Sequence, residues 1–317
     1  MTPVLSVVVT TYNRAAILAR CLEALLLQAG SESYEVLVVD DGSTDETADL
    51  LDRLEADSPL LRSHRQPNGG RAIARNAGLA QARGEYLCYV DSDVVVVPTF
   101  VAAHLAAHRR ARGDRPVFVQ GLSINIHDWA QIGRVSVPPF DPSRAFFDTK
   151  NVSIRRAHLE EVGGFDTGFV EYGWEDLELG VRLKARGLGI VRSREALGYH
   201  FHPAFTVQDL PKLRRIEEER GRMAARFLAM HPTLDVRLMT QDTPLHEVLN
   251  AIATWGGFWD EVRIRPFLAF LESKGRVGLA AQVAQIVLNQ YNLRELRRAQ
   301  SGATQNVTPQ AASQAPD

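Results

Sequence analysis

Across residues 4–90, short β-branched or aromatic runs alternate with amphipathic stretches, and this alternation leaves few folds open. A strand that returns parallel to its neighbour needs a crossover, so the pattern predicts βαβ units building a parallel sheet. Strands are expected at 4–11, 35–39, 60–65 and 85–90, and helices at 14–28, 44–56 and 71–82. All four strands then end on one edge, where ligands of open parallel sheets bind. The loops on that edge hold Thr10-Thr11-Tyr12-Asn13, the acidic run from Asp40 to Asp45, Asn68-Gly69-Gly70-Arg71, and Asp91-Ser92-Asp93.

Beyond this region the order is less regular, with strands expected at 117–126, 150–154 and 197–202 and a helix at 175–186. From residue 208 the chain turns helical: Leu213, Ile216, Met223 and Phe227 share one face, and further helices are expected at 244–253, 258–273 and 277–288. The residues after Gln300, rich in Ala, Gln, Ser, Thr and Pro, are expected to be disordered. A length of 317 residues accommodates one α/β core and a smaller appended domain.

Lys plus Arg number 36 against 38 Asp plus Glu, so no global field draws the chain to nucleic acid, which is excluded as a partner. Cys21 and Cys88 lie in apolar segments and read as core residues of a reducing compartment, which predicts a cytoplasmic protein. The start lacks the marks of a signal peptide, and no apolar run approaches the roughly 18 residues that span a bilayer, so no transmembrane segment is expected.

Asp91 and Asp93 place two carboxylates at a buried strand end, where they repel unless a cation sits between or beside them. A polar turn ending the strand is the plainer alternative. Asp40 and Asp41 can accept from a base N–H or ribose hydroxyls, while Thr44 or Asp45 suits a helix cap. Asn68-Gly69-Gly70-Arg71, with Arg75 and Asn76 a turn later, offers backbone N–H groups and guanidinium forks to a phosphate. Glu175 and Asp176 open a helix and need do no more than cap it. His200 and His202 alternate along a strand and so face one side, and imidazole is a competent Mn2+ ligand beside carboxylates. His104 and His108, four apart with Leu105 where a zinc protease needs Glu, read as a solvated helix face. The basic stretch from Lys212 to Arg226 is interrupted by Glu217, Glu218 and Glu219 and reads likewise.

The motifs Val-Thr-Thr-Tyr-Asn-Arg, Val-Val-Asp-Asp-Gly-Ser-Thr-Asp, Asn-Gly-Gly-Arg-Ala-Ile-Ala-Arg-Asn-Ala-Gly and Tyr-Val-Asp-Ser-Asp, in this order, closely resemble the family 2 glycosyltransferases of the GT-A fold. The resemblance implies a Rossmann-like mixed α/β sheet with helices on both faces over residues 1–207, a nucleotide-sugar half at about 1–115 and an acceptor half at about 116–207. A helical C-terminal extension at 208–299 and a disordered tail at 300–317 complete the expected layout. Thr10, Tyr12 and Asp40 or Asp41 would hold uridine or another nucleoside, with Arg71 and Asn76 near the donor. Asp91, with Ser92, would face the ribose and sugar. Asp93 would bind the Mn2+ or Mg2+ that bridges the two phosphates.

A second segment, from Gly163-Gly164-Phe165-Asp166 to Trp174-Glu175-Asp176, resembles the acceptor side of galactosyltransferase and chondroitin-synthase type enzymes. It implies Asp176 as general base and Trp174 and Glu175 as acceptor-binding, with the two acids exchangeable. Relatives also place a metal-binding histidine in the segment matching His200 and His202; His200 is preferred. Together these imply inverting transfer from a nucleotide diphosphate sugar, a UDP-sugar by preference, to the hydroxyl of a glycan or other acceptor. A sugar nucleotidyltransferase, or a binding protein of this fold without turnover, is the alternative. Whether the C-terminal helices dimerise, cover the acceptor site or touch the inner membrane face is left open.

Overall fold

The computed structural model describes residues 2–30, 32–111, 115–137 and 146–305, with side chains described as far as Ser301. It divides into two compact units, one comprising residues 1–170 and 175–203, the other 171–174 and everything from Ala204. The expected boundary at 207/208 thus moves by four residues.

In the first unit the strands are β1 (Leu5–Thr11), β2 (Tyr34–Asp40), β3 (Leu61–Arg65), β4 (Tyr86–Asp91), β5 (Val94–Val96), β6 (Val117–Ile126), β7 (Asn151–Arg155) and β8 (Gly189–Phe201). Its helices are α1 (Ala15–Leu26), α2 (Thr47–Asp57), α3 (Arg71–Gln81), α4 (Phe100–Arg110), α5 (Arg156–Glu161) and α6 (Glu175–Ala185). The strands form one sheet in the order β3-β2-β1-β4-β7-β6-β8-β5. The first four are parallel, as their alternation with helices requires, whereas β7 runs antiparallel between β4 and β6.

Both faces of the sheet are covered. Val7, Val9, Val36, Val38, Cys88 and Val90 belong to one core with Leu18 and Leu22 of α1, while Val8, Leu37, Leu87 and Tyr89 point into a second core with Phe118 and Phe147. This two-sided burial explains why the strands read as continuous apolar runs rather than alternating ones. Cys21 and Cys88 are free and fully buried, in line with their reading as core residues.

Two local departures from the sequence reading have clear causes. His104 and His108 of α4 do not face solvent: His104 is fully buried, with Nε2 2.9 Å from Asn151 Oδ1 and Nδ1 2.8 Å from Ser153 Oγ, and His108 Nε2 lies 2.9 Å from the same hydroxyl. Polar side chains on β7 receive them there, a pairing between segments distant in the chain. Strand β8 begins at Gly189, eight residues before the expected start, because its pairing with β6 continues through a register shift between Gly121 and Leu122.

The second unit holds α7 (Leu210–Met230), α8 (Leu234–Met239), α9 (Pro244–Thr254), α10 (Glu261–Ser273) and α11 (Val277–Gln305). Leu268, Ala280, Ala284 and Leu288 centre its core. Residues 300–305, expected to be disordered, continue helix α11; the rest of the expected tail lies outside the described residues. Among the described residues no helix is long and apolar enough to cross a membrane.

Candidate active site

The carboxyl edge of the parallel strands gathers the acidic groups. Asp91 ends β4, and the turn through Ser92 and Asp93 leads into β5, whose Val94 pairs antiparallel with His200 of β8. The backbone N–H of Phe201 donates to the Asp93 carbonyl at 2.8 Å. Two strands thus lock the imidazole of His200 against the carboxylate: Nε2 stands 3.1 Å from Asp93 Oδ1. Asp93 Oδ1 is buried with His200 as its neighbour, while Oδ2 accepts from Arg14 Nη1 at 2.7 Å.

One ligand atom each from Asp91, Asp93 and His200 lies within 4.8 Å of the other two. Two carboxylates and an imidazole, converging on one point, form a donor set suited to Mn2+. Burial raises the Asp91 carboxyl above its ordinary value; Arg75 opposes the shift, and the charges of Asp93 and Asp148 add to it. Burial acts on Asp93 in the same sense, but His200, Arg14 and His202 hold it below the usual range. His202 stands behind His200, its Nε2 3.0 Å from His200 Nδ1, and burial together with the charge of His200 pushes its own pKa down to about 4. The three-residue group therefore contains His200, and His202 supports its ring.

Across from this group, Glu175 and Asp176 begin α6. A buried guanidinium joins the two sets: Arg75 Nη1 donates to Glu175 Oε1 at 2.7 Å, and Nη2 lies 3.6 Å from Asp91 Oδ1. The second Glu175 oxygen, Oε2, is buried without a partner. Asp176 Oδ1 accepts from the Leu177 N–H at 2.8 Å. Burial, then the like charges of Glu175 and Asp148, raise the Asp176 carboxyl to about 7 against the pull of Arg75. Asp148 is itself paired with Lys150, Oδ2 to Nζ at 2.9 Å. Trp174 belongs to the helical unit, where its buried indole N–H donates to the Arg220 carbonyl at 2.8 Å and its ring lies beside Phe227.

The remaining sequence candidates divide by what they already hold. Thr10 is half-buried opposite Val39 and Asp91, and Tyr12 is about half exposed on the same edge. Asp40 accepts from the Ser43 N–H at 3.0 Å. Asp41 is engaged by the neighbouring loop, accepting from Gln66 Nε2 at 2.7 Å and from the N–H groups of Gly69 and Gly70 at 2.9 and 2.8 Å. Gly42 permits this approach, since a Cβ there would lie 2.7 Å from the Asn68 nitrogen. Arg71 is exposed and Ser92 buried. Asn76 is fully engaged with the backbone of Phe165, donating to its carbonyl and accepting from its N–H, both at 2.8 Å.

No motif in the sequence gives Arg14, Asp148 or Lys150 a role in the site, and Arg75, expected to face a phosphate, meets carboxylates. The spacing of Arg71 and Arg75 made them look equivalent, yet the first is exposed and the second buried. Only the fold, which brings α6 against α3, separates them.

Residues 6–158 match the family described as glycosyl transferase family 2, and residues 140–204 match the one described as N-terminal domain of galactosyltransferase. Validoxylamine A glucosyltransferase of Streptomyces hygroscopicus subsp. jinggangensis (strain 5008) is 36% identical over 234 residues, covering 62% of this chain and 55% of that protein. The hyaluronan synthase of Pasteurella multocida is 36% identical over 242 residues, covering 63% of this chain and 24% of its own length. The chain thus spans about half the length of the first relative and a quarter of the second. Among solved structures, a mannosyltransferase from Pyrobaculum calidifontis in complex with GDP-Man and Mn2+ superposes with a TM-score of 0.56 at 20% identity, covering 97% of this chain and 88% of that one.

Proposed function

We propose, from the premise that this chain carries a family 2 glycosyltransferase domain, that it moves a sugar from a nucleoside diphosphate donor to an acceptor hydroxyl with inversion. The observation that carries this reading is a half-buried carboxyl with a raised pKa, Asp176, beside a cation-type group, Asp91, Asp93 and His200, with Arg75 between them. An inverting displacement needs a base for the acceptor proton on one side and charge neutralisation for the leaving group on the other.

In this mechanism Asp176 takes the proton from the acceptor hydroxyl as the oxygen attacks the anomeric carbon, and the bond from that carbon to the diphosphate oxygen breaks. The unpartnered Glu175 Oε2 accepts a hydrogen bond from a second acceptor hydroxyl. Asp93, His200 and Asp91 would hold a divalent cation, Mn2+ or Mg2+, which when bound neutralises charge developing on the leaving diphosphate. Thr10, Tyr12 and Asp40 line the nucleoside side. Asp41 and Asn76 act one step back: the first fixes the loop that starts α3, the second the turn at Phe165. A UDP-sugar is the proposed donor. The acceptor is a glycan or another molecule carrying a hydroxyl.

The test is product analysis with UDP- and GDP-sugars, with and without Mn2+. Release of a nucleoside diphosphate with transfer or hydrolysis of the sugar is expected. Release of pyrophosphate from a sugar phosphate and a nucleoside triphosphate would instead identify a nucleotidyltransferase. Donor binding without turnover under every condition would leave a binding protein.

A further inference from the structure

Helix α9 is docked the wrong way round for a lone chain. Leu245, Val248, Leu249 and Ile252 follow the i, i+3, i+4, i+7 spacing that ordinarily faces a core, yet all are at least half exposed, Ile252 to 67%. The opposite side, with His246 and Asn250 half-buried and Thr254 buried, is polar. The apolar stripe continues into Trp255, 74% exposed in a left-handed backbone conformation that caps the helix, and Phe258. An apolar face of this extent marks a contact with something else. The segment after α11, from Asn306 to Asp317, carries one large aliphatic side chain, Val307, which is too little to cover it.

We propose that the α9–Phe258 face is the contact surface of a symmetric dimer of this chain. Three observations favour a second copy over a lipid surface. The acids beside the stripe are paired within the chain, Asp242 with Arg237, Glu247 with Arg297 and Asp260 with Arg263, so the face carries both signs of charge rather than the basic surplus that brings a helix to anionic lipid. Beside the stripe runs a groove of about 900 Å3 lined by Asn250, Gln290, Arg294 and Arg297 as well as Val248 and Leu293, whose polar groups lipid tails would leave unsatisfied. With Glu247 of α9 already paired to Arg297 of α11 at 2.8 Å, a projecting Trp255 next to the groove edged by α11 gives one face both a knob and a hole. A two-fold axis requires that self-complementarity.

The area is also sufficient. Four aliphatic side chains of α9 that are at least half exposed, together with Trp255 and Phe258, aromatic side chains of a kind that bury about 150–250 Å2 each when covered, give each copy an apolar centre before the polar rim is counted. Two copies then reach the lower limit of specific interfaces, about 1,200 Å2.

The experiment is sedimentation velocity on the full chain across a concentration series from low to high micromolar, with vesicle co-sedimentation in parallel. Wild type is expected to move from monomer to dimer with rising concentration and not to pellet with neutral or anionic phosphatidyl vesicles. The double variant Leu249→Glu, Ile252→Glu should weaken dimerisation at least tenfold while keeping the wild-type circular dichroism, since both side chains are exposed in the single chain. Trp255→Asn, which tolerates the left-handed conformation, should weaken it in the same direction. A wild type that stays monomeric throughout, variants that dimerise like wild type, or a monomer that pellets with vesicles would each overturn the proposal.

Discussion

Asp176 carries the sharpest consequence at the scale of a single residue. With its carboxyl raised to about 7 by burial and neighbouring acids, a base in this position is in its working form only above neutrality. The activity of the wild type should climb with pH through about 7, and Asp176→Asn should lower kcat by about 10²–10⁴-fold. Stability should move the opposite way. A carboxyl whose folded pKa lies above its unfolded value favours the folded state at low pH and loses that contribution as pH rises through about 7. Thermal melts should therefore show Asp176→Asn more stable than wild type at pH 8, with the gap shrinking toward pH 5; a gap that widens on acidification would contradict the shift. Arg75 opposes that shift and pairs with a buried carboxylate. Arg75→Met should therefore destabilise the fold by about 3–5 kcal/mol, since it strands Glu175. It should also move the acidic limb of the pH–rate profile upward, an effect lost packing alone would not produce, and Arg75→Lys should restore part of both.

At the scale of elements, the site depends on helices held by polar groups of distant strands and turns. Helix α4 is bound to β7 through His104 and His108, whose pKa values burial pushes down to about 4 and about 3. Neutral, depressed histidines contribute stability above their unfolded pKa, near 6.5, that is lost as pH falls toward the folded values. Acid denaturation followed by far-UV circular dichroism should thus begin between about pH 6 and 4 and shift to lower pH in His104→Gln. The link between α3 and the acceptor-side turn rests on Asn76, which saturates the Phe165 backbone. Asn76→Ala leaves a buried donor and acceptor unpaired and should cost about 1–3 kcal/mol in urea unfolding. Gly164→Ala should be at least as damaging, because its backbone lies at φ +69° and a Cβ would stand 2.5 Å from Asn76 Oδ1. These variants should lower stability more than they change the pH dependence of turnover.

For the whole molecule, a cation and a diphosphate that share one site should bind far better together than apart. Mn2+ with a nucleoside diphosphate at about 100 times its Kd should stabilise the fold by about 2.7 kcal/mol, whereas Asp93→Ala should show no such gain in thermal shift and no Mn2+ uptake by electron paramagnetic resonance. The fold and the loops of the site were legible because strand alternation, helix spacing and loop motifs are local properties, carried by neighbours in the chain. Thus the parallel order of β1 to β4 and the edge holding Asp40, Asp91 and Asp93 followed from residues 4–93 alone. Side-chain partners were not legible, because they come from across the chain. Asp41 turned to the Gly69–Gly70 loop, Asn76 to Phe165, Arg75 to Glu175 and His104 to Asn151, each chosen by which buried polar group stood unsatisfied after packing. Sequence thus determines which groups reach the edge of the sheet; tertiary structure decides which remain free for a ligand, since a buried donor or acceptor must take whatever partner the fold brings within reach.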